Sequence, residues 1–276
     1  MPHLEKEEIR STVREHYGSI AAQSLSSCGC SPTACCGSEP DQKVVEYSEQ
    51  LGYSPSDVQS VPEGANLGLG CGNPTALANL KPGERVLDLG SGAGFDAFLA
   101  VQQVGPTGFV IGVDMTPEMI KKARRNALNG SYTNVQFRLG EIEQVPVETG
   151  SIDTIISNCV INLSPDKEAV FKEAYRVLKP GGQLAISDIV ATAELPDEYR
   201  DDPALHCACM AGAETIDTIN AVLVRAGFQD IRIEPKVGSR ELIRQWAPGI
   251  PIDQLLVSAS IAAVKPPEPQ YIQGGR

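Results

Sequence analysis

The chain has 276 residues, of which 42% are hydrophobic and 21% are charged, and its formal net charge is -12. This composition is typical of a soluble globular protein with one large domain, or with a domain and an attached lobe. The negative charge argues against nucleic acid binding, since the densest basic stretch, KKARR at 121–125, falls on a predicted helix. No run of 18 apolar residues and no signal-peptide pattern occurs, so we expect a cytoplasmic protein that does not contact membranes.

The N-terminal part predicts two helices separated by an irregular segment. Apolar residues recur at helical spacing through residues 4–20, and a shorter helix is expected at 41–52. Between them, residues 24–38 are rich in Ser, Gly and Cys and predict a loop. A Gly-rich irregular stretch, SVPEGANLGLGCGNP, follows at 60–74.

From residue 84 onward, apolar strands alternate with helices. Strands are predicted at 84–90, 109–114, 135–141, 152–158, 183–190, 231–235 and 255–265. Helices are predicted at 95–105, 117–130, 166–178 and 215–228. This alternation is typical of an α/β fold with a doubly wound, mostly parallel sheet, which binds ligands outside the carboxyl ends of its strands.

Three glycines follow the first strand of this region. Gly90, Gly92 and Gly94 form a G-x-G-x-G pattern in VLDLGSGAGFD, with Asp88 just before them at the strand end. Glycines at this place allow the backbone to approach a ligand closely and to turn sharply into a helix. The turn alone is weak evidence for a nucleotide ligand.

A second carboxylate strengthens the prediction. Asp114 closes the next strand, where an acidic side chain can bind both hydroxyls of a ribose. The alternative is that Asp114 caps a helix, because Pro117 follows soon after it. In LGEIEQVP, after the third strand, Glu141 and the backbone of Ile142 are candidates to contact an adenine edge.

The segments RVLDLGSGAG, GVDMTPEMI and AYRVLKPGG resemble the S-adenosylmethionine-dependent class I methyltransferases over about residues 75–190. The resemblance implies a seven-stranded sheet whose last hairpin is antiparallel, with S-adenosylmethionine as cofactor. We expect a helical, Cys-rich segment at 1–63, a methyltransferase domain at 64–266 with insertions near 192–214 and 237–254, and a tail at 267–276. The expected cofactor-binding residues are Asp88, Gly90, Gly92, Gly94, Asp114, Met115, Glu141, Ile142 and Asn158.

Eight cysteines, expected to be reduced in the cytoplasm, are distributed unevenly. Four of them lie in CGCSPTACCG (Cys28, Cys30, Cys35, Cys36), and the others are Cys71, Cys159, Cys207 and Cys209. Structural zinc is an alternative for the first four, but C-x-C and C-C spacings fit zinc sites poorly. For Cys159, which follows the fourth strand in SNCVINLSPDK, the alternative is simple packing as a small hydrophobe.

Cys71, Cys159 and Cys209 come from three separate loops, which favours a ligand set, since soft thiolates select thiophilic centres. Trivalent arsenic takes three thiolates in a pyramid and keeps a lone pair, which can attack a sulfonium methyl group without removal of a proton. A transient Cys nucleophile with His206 as its base is the alternative, but it leaves Cys71 and Cys209 unexplained.

The segments GLGCGNP, SNCVINLSPDK and CMAGA, in this order, resemble arsenite S-adenosylmethionine methyltransferases from about Tyr17 onward. The resemblance implies methyl transfer to arsenite and methylarsenite, with Cys71, Cys159 and Cys209 as catalytic As(III) ligands. It also implies the participation of one N-terminal cysteine, which spacing does not assign among the four, and of a thiol reductant such as the glutathione or thioredoxin system. Cys207 is an extra thiol, and we expect a monomer.

Two other functions stay open on the residues alone. One is methylation of another small molecule, with zinc bound by the N-terminal cysteines. The other is a non-catalytic metalloid sensor, although the complete cofactor turn would then have no use.

Overall fold

The computed structural model describes residues 6–26 and 42–268. The helices within these ranges are α1 (Lys6–Ser26), α2 (Gln42–Gln50), α3 (Pro55–Ser60), α4 (Pro74–Ala78), α5 (Phe95–Val104), α6 (Pro117–Asn129), α7 (Lys167–Val177), α8 (Asp197–Arg200), α9 (Pro203–Cys207), α10 (Ile216–Ala226) and α11 (Arg240–Trp246). The strands are β1 (Arg85–Leu89), β2 (Phe109–Asp114), β3 (Val135–Leu139), β4 (Ile152–Asn158), β5 (Leu178–Ala191), β6 (Gln229–Lys236) and β7 (Leu256–Val264). Short 3-10 turns lie at Ile161–Leu163, Val237–Ser239 and Pro251–Gln254.

The seven strands form one sheet in the order β3-β2-β1-β4-β5-β7-β6. The pairs β1–β2, β2–β3, β1–β4 and β4–β5 are parallel, whereas β7 runs antiparallel to both β5 and β6. The order reverses between β1 and β4, because the chain leaves β1 toward β2 on one side and returns to β4 on the other. Such a reversal opens a crevice at the carboxyl ends of the two strands. The predicted fold class and the antiparallel last hairpin are confirmed.

Alternating side chains of the central strands pack against helices on both faces of the sheet. Leu87 belongs to a core cluster that contains Phe171 of α7, while its neighbour Val86 belongs to a cluster that contains Phe98 of α5. Both phenylalanines are fully buried. Because β1 is covered on both faces, its buried residues 86–89 are apolar with the single exception of Asp88.

Most predicted strands and helices lie where the periodicity places them, and the differences have local causes. The strands β2 and β4 have the predicted bounds. The predicted helix at 4–20 continues to Ser26, because nothing in the intervening residues breaks it. The strand β5 begins at Leu178, directly after α7, and the KPGG segment at 179–182 forms an irregularity in its pairing with β4 before regular pairing resumes at Gln183. None of the described helices is long and apolar enough to cross a bilayer.

A third apolar cluster lies beyond the carboxyl edge of the sheet and has a different composition. It contains the four described cysteines, together with Val13 of α1 and Ile243 of α11. The N-terminal helix and the segment after β6 therefore cover the same edge of the sheet. This cluster is where the described thiols meet.

The packing around Gly112 of β2 generates a stability prediction. A Cβ atom on this residue would lie 2.6 Å from Phe137 and 2.7 Å from the Ser91 hydroxyl. We expect Gly112→Ala to lower the free energy of unfolding by about 1–3 kcal/mol, since overpacking forces the backbone to shift. Denaturant unfolding followed by circular dichroism measures the change.

The matched control is Gly238→Ala, because no atom lies within 4 Å of a Cβ built there and its backbone needs no positive φ. Its unfolding free energy should change by less than about 0.5 kcal/mol. Equal midpoints for the two variants would contradict the packing described for β2.

Candidate active site

A cleft lies at the reversal point of the sheet and contains about 1110 Å³ of space, part of which is open solvent. It lies between the carboxyl ends of β1 and β4 and is covered by α1 and by the segment after α2. Seven of the nine residues predicted to bind the cofactor line it: Asp88, Gly90, Gly92, Asp114, Met115, Ile142 and Asn158. Cys159 lines it as well.

The glycine turn is shaped by backbone geometry and by Asp114. Gly90 and Gly92 both have positive φ, and a side chain on Gly90 would collide with Val160. The Gly92 N–H donates to Asp114 Oδ2 at 2.9 Å, and the Thr116 N–H donates to Asp114 Oδ1 at 2.8 Å. Thr116, and not Asp114, occupies the N-cap position of α6. Asp114 therefore joins the turn after β1 to the start of α6.

The other two predicted cofactor residues lie outside the cleft lining. Gly94 is the N-cap of α5, and a Cβ there would meet Phe98 at 2.7 Å, so a glycine is needed there for packing. The Glu141 carboxylate lies 3.4 Å from Arg14 and 3.6 Å from Arg10 on α1. Its side chain thus faces the N-terminal helix.

Two buried polar atoms of the cleft have no partner among the described residues, namely Asp88 Oδ2 and Ser91 Oγ. Burial raises the pKa of the Asp88 carboxyl, and the neighbouring carboxylates of Asp96 and Asp114 raise it further. Buried polar groups are normally hydrogen-bonded, so these atoms are suited to a bound ligand. A polar ligand that carries hydroxyl, ammonium or sulfonium groups fits this lining.

Asn158, the last residue of β4, connects this cleft with the thiols. Its Nδ2 lies 2.9 Å from Tyr53 Oη, 2.9 Å from the Gly72 carbonyl and 3.0 Å from Asp96 Oδ2. Its Oδ1 accepts the Cys71 N–H at 3.0 Å. Burial raises the pKa of Asp96 to about 6, although the Tyr53 and Asn158 donors act in the opposite direction. One amide side chain therefore contacts both the acidic end of the cleft and the Cys71 segment.

The Cys71 segment is irregular, as its sequence predicts, but it is held firmly. Cys71 is buried, its carbonyl accepts the Ser258 hydroxyl at 2.8 Å, and the Gly70 carbonyl accepts Tyr47 Oη at 2.6 Å. A Cβ on Gly70 would lie 2.6 Å from Asn158, so the close approach requires glycine. Side chains from α2, β4 and β7 therefore fix this irregular segment.

Cys159 lies between the other two predicted ligands. It directly follows β4, has a φ of 57°, and donates its N–H to the Ser187 carbonyl at 2.8 Å. Its thiol lies beside those of Cys71 and Cys209, and the Cys209 thiol donates to the Cys159 carbonyl at 2.8 Å. Cys209 also has a positive φ, of 60°. The three thiols predicted from sequence thus meet at the carboxyl end of β4.

Sequence reasoning missed a buried carboxylate beside these thiols. A carboxylate oxygen of Asp188 and the Sγ atoms of Cys71 and Cys159 lie within 4.8 Å of one another. Asp188 accepts the Ile161 and Ile189 N–H groups, both at 2.8 Å, so it fixes the chain that follows Cys159. Its signal in the sequence is a single acidic residue inside the apolar strand ISDIV.

The remaining residues singled out in the sequence are Cys207, His206 and the four N-terminal cysteines. Cys207 is buried in the same apolar cluster, and its carbonyl accepts Tyr17 Oη at 3.0 Å. Burial lowers the pKa of His206, whose Nε2 lies 3.3 Å from the Leu163 carbonyl, and its side chain forms no hydrogen bond with a described thiol. A Cys–His nucleophile is therefore not supported. Cys28, Cys30, Cys35 and Cys36 lie outside the described residues.

The electrostatics of the thiol cluster favour uncharged groups. Burial raises the pKa of the Cys71 thiol to about 11, and it also raises the pKa of Cys159. Ionisation of several adjacent buried thiols would place uncompensated charge in an apolar cluster, which is unfavourable. Cys71 and Cys159 are accordingly a set of neutral thiols near pH 7. Such a set exchanges ligands with a thiophilic centre as each thiol proton leaves with the departing group.

The strand order, the glycine turn after β1 and the carboxylate that closes β2 define an S-adenosylmethionine-dependent methyltransferase of class I. Residues 80–227 match a family model described as a methyltransferase domain.

Comparison with individual proteins indicates the family within this class. The chain is 52% identical to an arsenite methyltransferase of Halobacterium salinarum over 94% of this chain and 67% of that protein. It is 35% identical to the human arsenite methyltransferase over 83% of this chain and 60% of that one. An arsenic(III) S-adenosylmethionine methyltransferase of Chlamydomonas reinhardtii has a similar structure, with a TM-score of 0.59 and 35% identity over 84% of this chain and 76% of that chain.

The chain belongs to the arsenite methyltransferase family. It spans between 58% and 67% of the length of the curated relatives that carry this name.

The raised pKa of Cys71 predicts an unusual pH dependence of its alkylation. Because only the thiolate reacts, the labelling rate should rise about tenfold per pH unit and should still be rising at pH 9.5. Iodoacetamide labelling at several pH values, followed by mass spectrometry of the Cys71 peptide, measures this rate. A plateau near pH 8.5–9, the range of an ordinary thiol, would contradict the neutral thiol cluster.

Proposed function

We propose that this chain methylates trivalent arsenic, with Cys71, Cys159 and Cys209 as the As(III) ligands and S-adenosylmethionine as the methyl donor. The observation that carries the proposal is the meeting of three buried thiols beside a cofactor cleft that one of them lines. The substrate named for the relatives supports it. Arsenite and methylarsenite are the expected substrates.

Arsenic binding at this site requires no net ionisation. Three thiols and arsenous acid give a tris-thiolate complex and three waters, because each thiol proton leaves with a hydroxide of the arsenic. Neutral thiols, as burial produces at Cys71 and Cys159, therefore suit a neutral substrate. A hard divalent cation would instead favour oxygen ligands, which this cluster offers only at Asp188.

The cleft residues fit the methyl donor, which when bound supplies an electrophilic methyl group on a sulfonium sulfur. Asp114 is the proposed ligand of the ribose hydroxyls, and the Ile142 backbone is proposed for the adenine edge, whereas the Glu141 carboxylate faces Arg10 and Arg14 and lies outside the cleft lining. Gly90 and Gly92 allow the close approach of the backbone, and Met115 and Asn158 complete the lining. Asp88 Oδ2 and Ser91 Oγ are buried acceptors that gain partners when the cleft is filled.

Cys159 has the central role in orienting the substrate. It alone of the described cysteines lines the cofactor cleft, and its thiol lies beside those of both Cys71 and Cys209. Arsenic held by these three sulfurs keeps its lone pair on its remaining side, so position decides the reaction and no general base is needed. The buried His206, with its lowered pKa, is not required as a base.

A thiol reductant is part of the proposal, because a lone pair donated to a methyl cation oxidises arsenic from the trivalent to the pentavalent state. Two thiols that form a disulfide return the two electrons. Glutathione or thioredoxin can supply them, and one of Cys28, Cys30, Cys35 and Cys36 is proposed to take part in this exchange. The four described cysteines are free thiols, which supports a reducing cytoplasmic location. We propose a monomer.

The direct test is incubation of the protein with arsenite, glutathione and S-adenosylmethionine, with the arsenic species then resolved by chromatography. Methylated arsenic is expected. Bound zinc together with indifference to arsenite would instead favour another small-molecule methyltransferase, and cofactor affinity without turnover would favour a sensor.

The cofactor placement predicts the behaviour of two variants. Asp114→Ala removes the proposed ribose ligand and frees the Gly92 N–H, and Gly92→Val puts a branched side chain at a φ of 50° beside the ligand. Each should weaken S-adenosylmethionine binding at least about tenfold, or about 1.4 kcal/mol, measured by calorimetry. Arsenite binding should be nearly unchanged.

Asp217→Ala is the matched control, since this exposed carboxylate lies on α10. It should bind both ligands normally. Normal cofactor affinity in either cleft variant would show that the cofactor is placed wrongly.

The number of exchangeable positions on arsenic predicts that the two substrates require different numbers of thiols. Arsenite offers three exchangeable positions and methylarsenite only two, so Cys71→Ser should depress arsenite methylation and largely spare methylarsenite methylation. Cys159→Ser and Cys209→Ser should abolish both activities, because a hydroxyl is a hard ligand and replaces a thiolate poorly. Turnover of each variant on the two substrates, measured separately, gives the answer.

Cys207→Ser is the control and should retain both activities. Equal loss of both activities in Cys71→Ser would overturn the two-thiol scheme. Activity that survives in Cys159→Ser would overturn the central role of that residue.

A further inference from the structure

A second cleft reaches the thiol cluster from a different side. It contains about 840 Å³ of space, again including open solvent, and lies between the end of α2, the end of β6 and α11. Its lining combines apolar surface, from Leu51 and Leu242 among others, with polar side chains, which include Lys236, Ser239, Glu241, Gln245 and Ser258. Cys71 and Gly72 form its inner end.

The two clefts expose different thiols. Cys71 lines the second cleft and not the cofactor cleft, whereas Cys159 lines the cofactor cleft and not the second. The two Sγ atoms nevertheless lie within 4.8 Å of each other. The thiol cluster therefore lies between the two clefts, with the cofactor cleft on one side and a separate solvent-facing opening on the other.

Lys236 gives the second cleft its chemical character. Its Nζ lies 3.3 Å from the position of a Cβ built on Gly72, which places the ammonium next to the Cys71 segment. Lys236 is exposed, and its ammonium forms neither an ion pair nor a hydrogen bond with the described part of the chain. The ammonium is also close enough to favour the thiolate form of Cys71, although burial outweighs it in the pKa of that thiol.

The surrounding charge makes this ammonium significant. The whole chain has a formal net charge of -12, so an anionic ligand is repelled from most of its surface. A single unpaired cation at the mouth of a cleft attracts carboxylates locally and raises the rate of their association. Free arsenous acid is neutral and gains nothing from it, whereas a thiol complex of arsenic that carries carboxylates does.

We propose that the second cleft is the entry and exchange site for arsenite bound to small anionic thiols, with Lys236 as the contact for their carboxylates and Cys71 as the first thiol to exchange. This inference rests on the proposed function. It adds a route by which arsenic reaches the site without passing through the cofactor cleft.

The exchange step balances without an oxidant. The Cys71 sulfur forms a bond to arsenic, one bond between arsenic and a carrier sulfur breaks, and the Cys71 proton goes to the departing carrier thiol. Arsenic stays trivalent. The Cys159 sulfur, within 4.8 Å of Cys71, then takes the second position in the same way, so arsenic moves from the second cleft toward the cofactor cleft.

The test measures arsenic binding alone, with no methyl donor present. Trp246 is the only tryptophan and packs against the cluster that contains the thiols, so its fluorescence reports ligand entry in stopped flow. The two probes are arsenous acid and the complex of As(III) with glutathione in excess glutathione. Each glutathione carries two carboxylates and one ammonium, so its complex is anionic.

Lys236→Glu should lower the association rate of the glutathione complex about tenfold at low salt, and the difference should shrink at high salt as charges are screened. Arsenous acid should bind it at the unaltered rate within about twofold. Lys236→Arg should keep the fast rate with both probes. Lys81→Glu is the matched control, because it makes the same charge change at an exposed residue that precedes the amino end of β1. It should change neither rate.

An equal effect of Lys236→Glu on both probes, or an equal effect of Lys81→Glu, would overturn the entry site while the proposed function stands. Binding of neither probe by the unaltered protein would overturn the proposed function and the inference together. Circular dichroism of each variant confirms that the comparison is made on folded protein.

Discussion

The hydrogen bonds of the Asn158 side chain are the interaction on which the site depends. Asn158 ends β4 at the reversal point of the sheet, where its amide reaches Tyr53, Asp96 and the backbone of Cys71 and Gly72. Among the described residues this irregular segment has no strand partner, so the amide, together with the Ser258 hydroxyl of β7, holds it against the sheet. The rigid sheet thereby fixes the distance between the cofactor cleft and the first thiol. Even a methyl group on Gly70 would disturb this contact.

The position of the Cys159 thiol, directly after Asn158, depends on a second constraint. The backbone of Cys159 is left-handed, with a positive φ. A β-strand that continued past Asn158 would carry the thiol out along the sheet, but a positive φ turns the chain and brings the thiol back toward Cys71 and Cys209. Such a conformation is unfavourable for a residue with a Cβ and persists only when its surroundings determine it. The Asp188 carboxylate supplies that support, because it accepts the N–H of Ile161 just beyond the turn. Asp188 thus acts through the backbone of the loop as well as by its nearness to the sulfurs.

The fold and the three thiols can be predicted from the sequence, but the residues that hold the thiols in position cannot. The strand β2 is a mostly apolar run, and the three isoleucines of β4 are all buried, so burial on both faces makes the strand signal strong. The thiols were found because cysteines in three separate loops fit one soft ligand centre. Asp188 and Asn158 were not recognised as supports, since their roles depend on contacts with residues 26 or more positions away along the chain. The short helices α3, α4, α8 and α9 were missed because single turns of helix have too few residues to show a period.

The two halves of the site differ in charge, and the difference suits the two substrates of the proposed reaction. The cofactor half holds the carboxyl groups of Asp88, Asp96 and Asp114, and their burial raises the pKa of each. A cationic ligand in the cleft offsets the repulsion among these groups, whereas a neutral product of methyl transfer does so less. The thiol half is largely apolar, with the Asp188 carboxyl beside the sulfurs, and the neutral thiols of Cys71 and Cys159 suit uncharged arsenic. In the proposed reaction we therefore expect the acidic half to favour the methyl donor over the spent product, and the thiol half to hold arsenic through bonds to sulfur that do not depend on charge.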